Sequence, residues 1–272
     1  KSLLGLAKKI LVRVATTVLM RKGSRFQPVL PPCPYLRKEF TCATVVRATL
    51  YASALGLYEL HINGRRVGDA YFTPGWTDYG RRVYYQTYDV TGFLREGPNG
   101  IGAILADGWY AGYLGPWRKR AYYGVHPWLI AQLEIEGSDG SVVTVVTEST
   151  WKATTGPHLE ADLLMGETYD TRLEMPGWSE PGYTNSAWSP VTVAGGITTS
   201  LQAMHHPPVR KTDEVKPVRM WAPSPDRYVF DMGQYFSGWV RLKVNGPAGT
   251  RVVLRFAERL NPDNTIYRAN LR

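Results

Sequence analysis

Aromatic rings, carboxylates and guanidinium groups are closely spaced in PGWTDYGRRVYYQTYDVT, residues 74–91. A sugar ring has apolar C–H faces and a rim of hydroxyl groups. Flat side chains can therefore cover its faces while Asp, Glu and Arg bond to its hydroxyls. Trp76, Asp78 and Arg82 are the candidate sugar-binding residues of this stretch, and Tyr79 and Arg81 lie between them.

A second stretch, ADGWYAGYLGPWRKRAYYG at 106–124, has the same combination of residue types. It follows an apolar run that is typical of a buried strand, and its glycines predict an exposed loop. Exposed rings are costly unless they pack or bind. The rings either bind a sugar or cover the open end of a sandwich, and the sequence leaves both interpretations open. The candidate residues here are Asp107, Trp109, Tyr110 and Arg118, with Trp117 and Tyr122 beside them.

Other catalytic and metal-binding patterns are missing from the sequence. It has no Gly-rich phosphate loop, Gly-x-Ser-x-Gly, His-Glu-x-x-His or Cys-x-x-Cys. His205 and His206 are adjacent, so on an extended chain they point opposite ways. Cys33 and Cys42 have no metal-ligand spacing. We expect no cofactor and no metal. Six carboxylates occupy suggestive positions, but the sequence pairs none of them as a glycosidase would require: Asp78, Asp107, Asp162, Glu167, Asp170 and Glu258.

The net charge of +9 comes mostly from one end of the chain. Residues 1–25 contain seven Lys or Arg and no acid, so the other 247 residues carry 25 basic and 23 acidic side chains. This balance argues against a nucleic-acid partner. The uncharged run Val14–Met20 is too short for a membrane span. We expect residues 1–25 to be a poorly ordered or helical extension. They lack the ordered regions of a secretory signal, and a cytoplasmic or secreted location stays open.

Strand patterns separated by turn signals dominate the rest. Asn63-Gly64 predicts a hairpin with arms at 58–62 and 66–67, and GSDGS at 137–141 predicts another. No long segment after the extension has helical periodicity. We therefore predict an all-β protein with a jelly-roll β-sandwich over 35–204, a Pro-rich linker over 205–226, and part of a second β-sandwich over 227–272. The last segment stops within a β pattern, which favours a piece of a longer protein.

Several long motifs carry a family resemblance. The stretches LYASALGLYELHINGRRVGDAYFTPGWTDYGRRVYYQTYDVT, AILADGWYAGYLG and ADLLMGETYDTRLEMPGW resemble the N-terminal domain of bacterial-type α-L-rhamnosidases. VFDMGQYFSGWVRLKVNGPAGTRVVLRFAERLNPDNTIYRANLR resembles the β-sandwich domain that follows it. The resemblance implies a jelly roll of the galactose-binding type. Asp78 and Trp109 match the family's pattern closely.

The resemblance implies a function as well. These enzymes release terminal L-rhamnose from glycosides with inversion, using two carboxylates in a C-terminal (α/α)6 barrel. Neither carboxylate can be carried onto this chain, so we expect it to be inactive alone and to recognise substrate or support that barrel. The alternative is a stand-alone, lectin-like L-rhamnose-binding module. In some relatives this domain holds L-rhamnose, sometimes with calcium. The position near Tyr122, where such a relative offers an amide or a carboxylate, is aromatic here, so calcium stays open as the less favoured alternative to a site without metal.

Overall fold

The computed structural model describes residues 11–13, 30–115, 119–195 and 198–269. The chain divides into two compact units, with the boundary between Val209 and Arg210. Of the predicted extension 1–25, only Leu11–Arg13 is described, as a short strand. The rest of that extension lies outside the described residues. None of the helices in the described part is long and apolar enough to span a bilayer.

Two antiparallel sheets form most of unit 1. The first has strand order β16-β1-β10-β3-β6-β17, and β11 also pairs with β10. Numbered in chain order, its strands are β1 (Leu11–Arg13), β3 (Val45–Leu55), β6 (Arg82–Asp89), β10 (Trp128–Gly137), β11 (Val142–Val146), β16 (Thr192–Ala194) and β17 (Ser200–Ala203). β17 is the exception to the antiparallel pattern, because it runs parallel to β6.

The second sheet has strand order β15-β12-β2-β7-β4-β5. Its strands are β2 (Pro34–Cys42), β4 (Leu57–Ile62), β5 (Arg65–Arg66), β7 (Gly97–Ala106), β12 (Lys152–Thr155) and β15 (Ser189–Pro190). The remaining elements of unit 1 are β8 (Tyr113–Leu114) paired with β9 (Lys119–Arg120), β13 (His158–Asp162) paired with β14 (Gly166–Tyr169), the helical turn α1 (Gly108–Ala111), and 3-10 turns at Thr91–Phe93 and Thr171–Leu173.

The core lies between the two sheets because their strands alternate in sequence. Along β10, every second residue from Leu129 to Ile135 is buried. Leu60 and Ile101 of the second sheet and the indole of Trp151 belong to the same buried cluster. The described residues contain helices of at most one turn. The prediction of an all-β sandwich is therefore confirmed.

Both predicted hairpins are present. Asn63 and Gly64 have φ values of 50° and 78°, and they connect β4 to β5. Two consecutive positive φ values are the geometry that favours Asn-Gly in a two-residue turn. The GSDGS hairpin connects β10 to β11, and the N–H of Gly140 donates to the carbonyl of Gly137 at 3.0 Å.

Strand register places several loops at one end of the sandwich. β3 ends at Leu55, which pairs with Trp128 at the start of β10. β4 begins at Leu57, which pairs with Ala106 at the end of β7. Gly56 alone separates β3 from β4, and it has a φ of +113°. Loop 67–81 and the described parts of the connection from β7 to β10, residues 107–115 and 119–127, consequently meet at this end.

A backbone hydrogen bond joins loop 67–81 to Val209, and unit 2 contains a strand pair of its own. The N–H of Tyr71 donates to the carbonyl of Val209 at 2.9 Å, so loop 67–81 is bridged to the last residue of unit 1. In unit 2, β18 (Arg219–Ser224) pairs with β19 (Arg227–Asp231). β18 falls within the segment predicted as a linker.

Fewer strands are present in unit 2 than its sequence pattern predicts. Alternating apolar residues predict three strands over 228–260 with Gly-Pro-Ala-Gly as a turn between them. After β19, however, the described part contains a bridge between Leu260 and Ile266 and no further strand. Alternation alone does not make a strand, because a strand also needs a hydrogen-bonded partner. The expected Gly-Pro-Ala-Gly turn is present: the N–H of Thr250 donates to the carbonyl of Pro247 at 3.1 Å.

Candidate functional site

Three aromatic side chains, which we call the aromatic platform, meet at the end of the sandwich: Phe72, Trp76 and Trp109. The indoles of Trp76 and Trp109 are parallel to within 1°, with ring centroids 5.8 Å apart. The ring of Phe72 meets Trp109 edge-on at 6.1 Å. Trp76 is 59% exposed. One face of Trp76 is therefore turned to Trp109, and much of its remaining surface is available to a ligand.

Four tyrosines form a neighbouring tyrosine cluster: Tyr79, Tyr110, Tyr122 and Tyr123. Tyr79 is only 3% exposed and contacts the rings of Tyr110 and Tyr123 at 5.2 and 5.1 Å. Desolvation raises the pKa of Tyr79 and of Tyr110 above the usual tyrosine value. Tyr110 is thus partly used in packing the end of the sandwich. Tyr122 remains exposed, with the ammonium of Lys119 5.2 Å from its ring centre.

Asp78 and Arg82, two of the predicted sugar-binding residues, are exposed. Both follow Trp76 of the aromatic platform closely in the sequence. Asp78 accepts the N–H of Gly80 at 3.0 Å, and its other carboxylate oxygen is 3.4 Å from Arg81 Nε. Arg82 begins β6, is exposed, and holds its guanidinium 5.8 Å from the ring centre of Tyr84. Both side chains therefore retain hydrogen-bonding capacity towards solvent or a ligand.

Asp107 is placed differently from the other candidates. It is 5% exposed, and its Oδ2 accepts a hydrogen bond from Arg120 Nη2 at 2.5 Å. Burial raises the pKa of Asp107 above its ordinary value, while Arg120 acts in the opposite direction and Asp162 adds to the rise. The carboxylate faces a protein cation instead of the open surface. Arg118, the remaining predicted residue, lies outside the described residues, as does Trp117.

Sequence reasoning did not single out Phe72, Arg120 or Tyr123. Phe72 stands four residues before Trp76, so a wider window around the first stretch would have included it. Arg120 is one of three basic residues at 118–120, and nothing in the sequence distinguishes the one that pairs with Asp107.

The described acidic side chains at this end are not grouped as metal ligands. In the described part of the chain, no three His, Cys, Asp or Glu side chains come together as metal ligands. Calcium prefers several oxygen ligands. Asp107, the buried acid at this end, is already paired with Arg120.

The raised pKa of Asp107 gives a pH-dependent stability with a defined sign. A carboxyl group whose pKa is higher in the folded state binds protons more readily there than in the unfolded chain. Its contribution to stability is therefore lost as pH rises from about 4, the usual aspartyl pKa, through the raised value. We expect the unmodified chain to lose stability relative to Asp107→Asn as the pH rises above about 4. Urea unfolding followed by tryptophan fluorescence measures this. A gain by the unmodified chain over the same range would mean that Arg120 outweighs burial.

Comparison with known proteins gives a consistent result. Residues 43–213 match the model of the α-L-rhamnosidase N-terminal domain. Residues 222–272 match the bacterial α-L-rhamnosidase concanavalin-like domain. The α-L-rhamnosidase of Streptomyces avermitilis is 49% identical over 251 residues, which are 91% of this chain and 24% of that protein. That of Alteromonas sp. (strain LOR) is 39% identical over 251 residues, 90% of this chain and 27% of that protein.

Solved structures show the same similarity. The structure of Streptomyces avermitilis α-L-rhamnosidase complexed with L-rhamnose matches with a TM-score of 0.85 and 48% identity, over 88% of this chain and 24% of that one. The native Aspergillus terreus enzyme matches with a TM-score of 0.76 and 36% identity, over 83% of this chain and 26% of that one. The chain thus spans about a quarter of the length of these relatives.

Proposed function

Because the chain belongs to the α-L-rhamnosidase family, we propose that unit 1 is a non-catalytic part of such an enzyme and holds an L-rhamnosyl group on the aromatic platform. The observation that carries this proposal is the exposed Trp76 stacked on Trp109. L-Rhamnose is a 6-deoxy sugar, so its methyl group extends the apolar surface that an indole can cover. Asp78 and Arg82 supply an acceptor and a donor for the hydroxyl groups.

The partners follow from the same proposal. The substrate is a glycoside or glycan that ends in L-rhamnose, and the enzyme's catalytic domain cleaves it. We assign catalysis to the part of the parent enzyme outside this chain, because this chain spans about a quarter of the length of its relatives. Among the carboxylates that the sequence singled out, Asp170 is already bound by Arg172 through two hydrogen bonds of 2.8 and 2.6 Å. Nucleic acid is an unsuitable ligand, since the chain beyond residue 25 is nearly neutral.

Calorimetry on the full chain tests the platform. We expect L-rhamnose to bind with a Kd between micromolar and millimolar, which corresponds to ~4–8 kcal/mol. Trp76→Ala is expected to weaken binding about tenfold, because covering roughly 60 Å² of apolar ring contributes about 1.5 kcal/mol. L-Mannose, which replaces the methyl group with a hydroxymethyl group, is expected to bind more weakly than L-rhamnose.

The control is Tyr228→Ala, which removes an exposed ring from β19 in unit 2 and should leave the heats unchanged. Equal loss in both variants, or no heat from the unmodified chain at millimolar sugar, would contradict sugar binding and leave support of the catalytic domain as the function. If the chain binds L-rhamnose but no catalytic domain accompanies it, the stand-alone lectin-like alternative is favoured. Turnover of p-nitrophenyl α-L-rhamnoside by this chain would contradict the non-catalytic assignment.

A further inference from the structure

The turn that carries the platform's Trp109 begins directly after a buried carboxylate. α1 starts at Gly108, and the preceding Asp107 makes no side-chain cap bond to that turn. Instead, its Oδ2 accepts from Arg120 Nη2 at 2.5 Å. The carboxylate of Asp107 therefore binds the segment that contains Arg120 and not the helical turn that follows it.

Arg120 lies on a segment that returns along α1. The N–H of Ala121 donates to the carbonyl of Ala111 at 3.1 Å, and the N–H of Tyr123 donates to the carbonyl of Tyr110 at 3.3 Å. The ion pair adds a third attachment at the start of the turn. Since Arg120 is 23% exposed and Asp107 is buried, water screens the pair less than it would screen a surface pair.

The turn also has little freedom to move towards the sheet. A Cβ on Gly108 would lie 2.7 Å from Leu57 Cγ, so the backbone of α1 sits directly against the start of β4. The contact between Gly108 and Leu57 therefore restricts one side of the turn, and the segment that carries Arg120 restricts the other side.

We propose that Asp107 and Arg120 are positioning residues whose ion pair sets the orientation of Trp109 and thereby the parallel stack of the aromatic platform. This assigns Asp107 a role distinct from the direct sugar contact that its sequence position suggests. The orientation of Trp109 is a property of the chain itself, and only the consequence for sugar affinity rests on the proposed function.

Arg120→Met is the first test, because it keeps the aliphatic stem and removes the charge. Two stacked indoles couple their electronic transitions and give a paired positive and negative band in circular dichroism. Because Trp178 and Trp188 are stacked as well, the band of the platform is the part of the signal that Trp76→Ala removes. We expect Arg120→Met to reduce this band towards the level of Trp76→Ala and to weaken L-rhamnose binding about tenfold, as the loss of the platform does. Arg120 Nε has no hydrogen-bond partner among the described residues, and the contact uses a single Nη2. Arg120→Lys should therefore restore much of the band.

The matched control is Glu148→Gln, which removes an ion pair with Lys38 on β2, outside the platform loops. It should leave the band and the affinity unchanged, even if it lowers the melting temperature. If Arg120→Met does not fold, Asp107→Asn serves in its place, because it preserves side-chain volume while removing the charge.

The outcomes separate the two proposals. An unchanged band in a folded Arg120→Met or Asp107→Asn chain, or a band that Trp76→Ala leaves unchanged, overturns the positioning role. A band that is lost in Arg120→Met when the unmodified chain gives no heat with L-rhamnose supports the positioning role and contradicts the proposed function.

Discussion

Replacement of Arg37 by methionine is expected to lower the free energy of unfolding of unit 1 by about 3–5 kcal/mol. Arg37 is 1% exposed although it is always charged. Its Nε donates to the carbonyl of Trp178 at 2.8 Å, and its Nη2 donates to the carbonyl of Glu180 at 2.8 Å and to Glu39 Oε1 at 2.6 Å. Methionine fills similar volume but leaves these acceptors without a donor.

Arg37 also joins two segments that lie far apart in the sequence, so its loss weakens the attachment between them. Trp178 and Glu180 lie more than 140 residues after it, so the guanidinium attaches the 178–183 segment to β2. Urea unfolding of the full chain measures the change. Arg47→Met is the control, because Arg47 is exposed and its carboxylate partner Glu136 is 3.9 Å away. Such a surface pair contributes about 0–1 kcal/mol. Equal losses in the two variants would contradict the attachment role.

The second large effect is expected at Gly56, between β3 and β4. Its φ of +113° is a conformation that L-residues with side chains rarely adopt, and a Cβ there would lie 2.6 Å from the carbonyl oxygen of Ala106. Gly56→Ala should cost about 1–3 kcal/mol for the backbone and about 1–3 kcal/mol more for the overlap. Because Ala106 immediately precedes Asp107, we also expect weaker stacking of Trp76 on Trp109.

Two further glycines separate the contributions. Gly140 has a φ of +78° but no described atom within 4 Å of its Cβ position, so Gly140→Ala reports the backbone cost alone. Gly92 has neither a positive φ nor a close neighbour among the described residues, and Gly92→Ala should be neutral or slightly stabilising. Thermal unfolding should rank the variants Gly56, Gly140, Gly92 from most to least destabilised. A Gly56→Ala chain as stable as the Gly140→Ala chain would show that the backbone relaxes away from Ala106.

Local signals in the sequence predicted much of this architecture. Asn63-Gly64 defines its hairpin through two neighbouring residues, and alternation along β10 marks the buried face over a few positions. The spacing of rings around Trp76 and Trp109 also predicted an aromatic surface. That two such stretches meet could be inferred only from a sandwich with loops at one end, which the register of β3, β4 and β7 provides.

Long-range partners could not be predicted in the same way. By its sequence, Arg37 is typical of a surface residue in a strand. No neighbouring residue in the sequence indicates that the 178–183 segment covers it. Gly102 is similar: it has to be small because a Cβ would lie 2.3 Å from the indole of Trp178. The pairing of Asp107 with Arg120 could not be predicted either, because the sequence does not distinguish the three neighbouring cations at 118–120.

The hydrogen bond between Tyr71 and Val209 connects the aromatic platform to the segment that leaves unit 1. Tyr71 precedes Phe72 of the platform, and Val209 is the last residue of unit 1. Tension on the polypeptide that leaves unit 1 is thus applied within one residue of a ring that contacts Trp109. By thermodynamic reciprocity, a sugar that favours the undisturbed platform would resist that tension, and the tension would lower the sugar's affinity.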